Sequence, residues 1–404
     1  MEADPGGRRR PRARTAALLA LGSAACLLTV LGVRAAGPDG DAPAAKVPAA
    51  VTAPAEKAVT AVLANRARAV REHDRTAFLA TVAAAPAAFQ DAQARMYDNL
   101  ARLPLDGWRE TYRGAAPGAG SASVRVTLEY RLEGFDRSPV TRERTLTFAP
   151  RSDTWVITGE RPGDTEIWDG GPLTVVRGKS SLVIGDASGL AEVARHLDAA
   201  VPVVSEVVGK AWARRAVALV PADPARAAEL AGGGRDLQEI AALATASPDR
   251  IVIAPGTFGR LNRLGRDVVL THELTHVATG GARDGRTPLW LIEGFADYVG
   301  YREAKVGVGS AARELAREVR AGRVPSALPG AESFDHPSGR LSQAYQEAWL
   351  ACRMIADRYG ESTLVRLYRA AGQRSEAAAL DDVLGLTPAR LTAMWRDYLQ
   401  EELR

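Results

Sequence analysis

Residues 266–279 read RDVVLTHELTHVAT, and Trp290–Tyr298 reads WLIEGFADY. The first stretch has helical periodicity: Leu270, Leu274, Val277 and Ala278 recur at i, i+4, i+7 and i+8. His272 lies about 200° around the axis from Leu270, so one face packs on a core and the other meets a cleft. His272 and His276 are one turn apart on that second face. Two imidazoles so spaced reach one Zn²⁺ ion, and Glu273 between them is turned toward a water the metal would hold. Gly280-Gly281 stops the helix. The chain has 5 His in 404 residues, so chance produces such a pattern in well under about one chain in a hundred. The competing reading is a surface helix with two solvated histidines.

The second stretch supplies what the first lacks. Glu293 follows His276 by 17 positions, room for a loop and the start of another helix. It is the candidate third zinc ligand. Asp297 lies one turn further on the same face, where a carboxylate fixes the tautomer of a ligating histidine.

HELTH followed by WLIEGFADY resembles the gluzincin zinc metallopeptidases, which include thermolysin-like, aminopeptidase-like and peptidase-MA-like domains. The resemblance spans about residues 175–404, with its specific motifs in 266–300. It implies a small mixed sheet beside the active-site helix and a helical lobe after it. His272, His276 and Glu293 would hold zinc, Glu273 would act as general base, and the substrate would be a peptide or protein. An edge strand of such a sheet takes the extended substrate, and Arg250–Ala254 (RIVIA) is the candidate. Tyr345, near the start of AYQEAWLACRMIADRYG (344–360), matches a tyrosine whose hydroxyl stabilises an oxyanion; a buried core tyrosine is the alternative. Aminopeptidase-like members carry Lys-Gly where this chain has Glu347-Ala348. His336 is a second candidate donor, and a plain loop histidine is the stronger reading of it. No motif for recognising a free amino terminus is present, and endo- or exo-preference stays open. The reading from another class is a binding or scaffold protein that keeps this fold without turnover.

N-terminal to that region the pattern changes. Residues 57–101 read as three helical stretches. Val124, Val126, Leu128, Tyr130 and Leu132 then alternate with polar residues at period 2. Thr141–Phe148 and Thr154–Gly159 are further strands. Helices followed by antiparallel strands predict an α+β accessory domain over 57–163, whose element order resembles the cystatin-like or nuclear-transport-factor-like cone. Residues 164–180 read as a joint. Beyond it the pattern predicts a strand at 181–184, a helix at 190–208, a strand at 216–220, helical pieces over 226–245, a strand at 250–254 and a mostly helical tail from 303. His73 and His196 read as surface residues of amphipathic helices.

The first 56 residues divide three ways. Residues 1–14 are basic, Thr15–Val33 is a 19-residue run without a charge, and 34–56 is rich in Pro and Ala. Such a run is long enough to span a bilayer as a helix. It predicts a single-pass anchor with the catalytic domain outside the cytoplasm, or a cleaved signal that leaves the domain secreted. Residues 1–34 hold six Arg and two acids, a net +4 that equals the formal charge of the whole chain. The remainder is neutral overall, so bulk charge makes no case for nucleic acid as a partner. Cys26 and Cys352, the two cysteines, are not placed to form a disulfide framework. Oligomeric state is not legible.

Overall fold

The structure is a computed structural model describing residues 54–404, apart from 153, 164, 234–236, 238–239, 247, 281–283 and 335–339. It is a mixed α+β protein. Three helices come first: α1 (Glu56–Arg71), α2 (Arg75–Ala80) and α3 (Ala87–Leu100). Four strands follow, β1 (Leu105–Pro117), β2 (Ala122–Leu132), β3 (Val140–Arg151) and β4 (Thr154–Glu160), in an antiparallel sheet of that order. Sequence patterning missed β1. Gly107 and Gly114 sit in it at φ +93° and +144°, and its register with β2 shifts beside each. Bulges of this kind break the period-2 signal.

A second sheet starts with β5 (Thr174–Arg177) and β6 (Ser181–Gly185), then passes through α4 (Leu190–Val208) to β7 (Ala216–Val220). After α5 (Pro224–Leu230) come β8 (Ala242–Ala246) and β9 (Asp249–Ile253). The strand order is β5-β6-β7-β9-β8, with β6, β7 and β9 parallel and the two outer strands antiparallel to their neighbours. Three expectations are corrected here. Residues 242–245 are strand, although ALATA reads as helix by propensity; pairing with β9 overrides a weak local preference. RIVIA (250–254) falls on β9, an inner strand, and β8 is the edge. Residues 174–177, read as part of a joint, form β5.

The second sheet is buried on both faces, as near-continuous apolar strands require. Val183, Ala218, Ile251 and Ile253 pack toward α4 and the helical lobe. Leu182, Ile184, Val217, Leu219 and Val252 pack in the other direction, into one cluster with Trp108, Tyr130, Leu132 and Trp168. The N-terminal layer and the sheet thus share a core, to which Ile167, Trp168 and Leu173 between them contribute.

The lobe follows as α6 (Pro255–Arg260), α7 (Arg263–Thr279), α8 (Leu289–Tyr301), α9 (Val308–Ala311), α10 (Arg313–Arg320), α11 (Leu341–Tyr359), α12 (Glu361–Ala371), α13 (Glu376–Leu384) and α14 (Pro388–Leu403). The α8–α11 crossing is unusually close. A Cβ at Gly294 would lie 2.2 Å from the carbonyl oxygen of Ala348, a backbone atom with nowhere to go. Helix propensity alone makes Gly→Ala stabilising. Here the collision wins, and Gly294→Ala is expected to cost about 1–3 kcal/mol, read as a lower denaturant midpoint; a midpoint at or above wild type would contradict the close crossing.

The membrane-anchor expectation is corrected. Among the described residues no helix is long and apolar enough to cross a membrane. The 15–33 run, and with it the basic 1–14 segment and most of the 34–56 linker, lies outside the described residues.

Candidate metal centre

Helix α7 begins at Asn262, whose side chain accepts from the Gly265 amide at 2.8 Å, and ends at Gly280 at φ +84°. Both ends follow ordinary capping rules. The start is one turn earlier than periodicity indicates. Thr271, Thr275 and Thr279 each donate a hydroxyl to the carbonyl four residues back, at 2.7, 2.8 and 2.9 Å. Their polar atoms are thereby satisfied without leaving the helix. The cleft-facing side of α7 is itself covered by α8, and α8 is covered by α11.

His272 Nε2 and His276 Nε2 are 3.0 Å apart. Glu293 Oε2, brought in by α8, is 3.2 Å from the first and 3.4 Å from the second. Four donors around a zinc ion at about 2.0–2.2 Å stand roughly 3.3 Å from one another, so these three atoms fit a tetrahedral site. Asp297, one turn on from Glu293, places Oδ1 2.8 Å from His272 Nδ1. With the Nδ1 proton donated to that carboxylate, the Nε2 lone pair faces the other two donors. His272, His276 and Glu293 are the one such metal-competent group among the described residues.

The electrostatics suit a cation. Burial opposes charge on His272, yet Asp297 and Glu293 overcome it and raise its pKa well above the ordinary value. Burial also works against ionised Glu293, but the two histidines prevail and hold its carboxyl down at about 2. Asp297 is pushed up, burial outweighing the pull of His272. Three carboxyl groups, from Glu273, Glu293 and Asp297, surround two imidazoles in a desolvated space, with Glu293 the one held ionised. Such a cluster needs positive charge to be stable.

Glu273 is not one of the three metal-competent donors. Its Oε2 accepts the backbone N–H of Ala244, on β8, at 2.7 Å. Burial raises its pKa against the opposing pull of His272 and His276. Tyr345 comes from α11. Its ring centroid lies 6.1 Å from that of His272, and Phe334 meets it edge-on at 5.3 Å. His336 lies outside the described residues.

No protein-family model matches the chain, and no curated protein matches it. Among solved structures it is similar to an M1 zinc metallopeptidase from Deinococcus radiodurans bound to a Tyr-Ser-Ala substrate, at 14% identity and a TM-score of 0.34. It is also similar to a two-domain M1 zinc metallopeptidase bound to L-tryptophan, at 15% identity and a TM-score of 0.35. In both cases 74% of this chain is covered and 62% of the other, so the chain spans about three-fifths of the length of those structures. The likenesses are slight, and the chemistry has to follow from the side chains themselves.

Sequence reasoning missed two features of the surroundings. One is the Ala244 amide, because β8 reads as helix. The other is His196, read as a surface residue. It is buried, with Nδ1 2.5 Å from Asp267 Oδ1, because α4 packs along α7. The partner is 71 residues away, and only α4's apolar stripe hinted that this helix faces another.

Proposed function

We propose that the chain is a zinc-dependent peptide hydrolase, and the observation that carries the reading is the convergence of His272 Nε2, His276 Nε2 and Glu293 Oε2, with Glu273 near enough to interact electrostatically with both imidazoles. Bound there, zinc supplies Lewis acidity that polarises a carbonyl and makes water a better nucleophile near neutral pH. Asp297 orients His272. Glu273 takes the proton of the attacking water on its carboxylate and returns it to the leaving amine. Tyr345, beside His272, is assigned to the oxyanion that develops on the substrate.

The edge strand β8 fits an extended substrate. Pairing with β9 occupies one side of β8, and the Ala244 N–H on its other side is accepted by Glu273. An added strand would present its peptide bonds along that edge.

One observation favours a second reading. Glu273 is 1% exposed and Tyr345 2%, which suits a metal that holds the fold of a non-catalytic binding protein. Metal analysis of the full chain combined with a proteome-derived peptide library separates the two. Hydrolysis predicts one zinc per chain and cleavage that stops on chelation and returns with zinc. A chain that stays metal-free in excess zinc at neutral pH would sink the proposal, and a fully loaded but inert chain would leave the binding reading in its place.

A further inference from the structure

The hydrogen bond from Ala244 to Glu273 ties the proposed base to a hairpin, and that hairpin is tied to something else. β8 and β9 are joined by residues 247–248 and pair with Thr245 opposite Arg250. Thr245 Oγ1 donates to the Pro248 carbonyl at 2.7 Å, tightening the turn. Arg250 points away from α7. Its Nη1 and Nη2 donate to Asp136 Oδ1 and Oδ2 at 2.7 and 2.9 Å, a two-pronged pair with side chains only 5% and 6% exposed. Asp136 belongs to the turn between β2 and β3 of the N-terminal layer. Its Oδ2 also accepts the Leu132 amide at 2.8 Å, which fixes the carboxylate before it meets Arg250. A planar fork on a fixed carboxylate sets both distance and orientation. Among the described residues the route is continuous: the β2–β3 turn, Asp136, Arg250, the β8–β9 hairpin, Ala244 N–H, Glu273.

We propose that Asp136 and Arg250 are positioning residues for Glu273: the N-terminal layer holds the β8–β9 hairpin in the register that aims the base, and so is a working part of the site. The proposal rests on the peptidase reading for turnover and stands apart from it for the backbone contact. A purely packing role for the pair would show in overall stability. A positioning role shows at one amide and one carboxylate.

The test uses Asp136→Asn in the full chain, alone and on a Glu273→Gln background, with amide hydrogen exchange and peptide turnover as readouts. Arg250 is left buried without its charge partner in the single variant. The double variant Asp136→Asn/Arg250→Gln therefore accompanies it, replacing the fork by a neutral pair. In both, the Ala244 amide should exchange at least about tenfold faster while amides of α7 and α11 keep wild-type protection. Turnover should fall about 10- to 100-fold in kcat, the scale of a displaced catalytic group, with KM changed less than about threefold. On the Glu273→Gln background the same change should cost under about twofold, because the residue it acts through is already disabled. Wild-type exchange at Ala244 in either folded variant would overturn the proposal. So would equal losses with and without Glu273. So would unfolding of both variants, since the pair would then hold the fold and not the base. If the wild-type chain cleaves no peptide yet Ala244 loosens as expected, the tether stands and the peptidase reading fails.

Discussion

Glu273→Gln is expected to keep zinc and thermal midpoint close to wild type while peptide cleavage falls by about 10²–10⁴-fold. Gln keeps the size of the side chain, and its amide oxygen can still accept the Ala244 N–H that Glu273 Oε2 accepts at 2.7 Å. Glu273 is next to His272 in sequence but is not one of the three converging donors. The variant therefore removes a proton acceptor and little else. Burial keeps ionised Glu273 costly, so loss of its charge does not threaten the fold. The measurement is a progress curve on a cleaved peptide beside a metal assay on the same preparation. Loss of zinc together with activity would show that Glu273 supports the metal. Unchanged cleavage would remove the base from the mechanism and return the site to a structural metal.

The parts of this site that the sequence disclosed are the local ones. His272, Glu273 and His276 share one helix, and Glu293 and Asp297 share the next, so their faces follow from 3.6-residue periodicity. The structure then brings the two helices together. Tyr345 is 52 positions beyond Glu293 and was reached through the resemblance; its place beside His272 depends on the α8–α11 crossing, which Gly294 permits and no local pattern announces. Strands β6, β7 and β9 are legible as apolar runs because both faces are buried. What covers each face is not, since alternation identifies burial without naming the partner. No sequence pattern therefore puts Trp108 and Trp168 in one cluster with Val217 and Val252. The edge strand is hard to read for the same kind of reason. RIVIA is rich in β-branched residues and looks more like strand than ALATA, yet strong strand character marks an inner position, and β8 at the rim carries the weaker signal.

Glu293→Gln is expected to lose zinc and activity together, in contrast with Glu273→Gln. Glu293 Oε2 stands 3.2 and 3.4 Å from the two imidazoles, and the histidines hold its carboxyl at about 2 against the opposing effect of burial. The imidazoles thus favour its carboxylate form, the form a zinc ligand takes. A neutral amide gives up that charge and leaves two histidines as the only strong donors. Asp297→Asn should be milder, because it disturbs the orientation of His272 without removing a donor; outer partners of this kind typically cost about 10–100-fold in metal affinity. The two effects are separated by stability as well as by binding. Zinc at about a thousand times its dissociation constant stabilises a folded protein by about 4 kcal/mol. Chelation should therefore lower the unfolding temperature of wild type and of Glu273→Gln by several degrees and leave that of Glu293→Gln almost unchanged. If chelation shifts Glu293→Gln as much as wild type, Glu293 is not a ligand, and the third donor has to be sought elsewhere on α8 or α11.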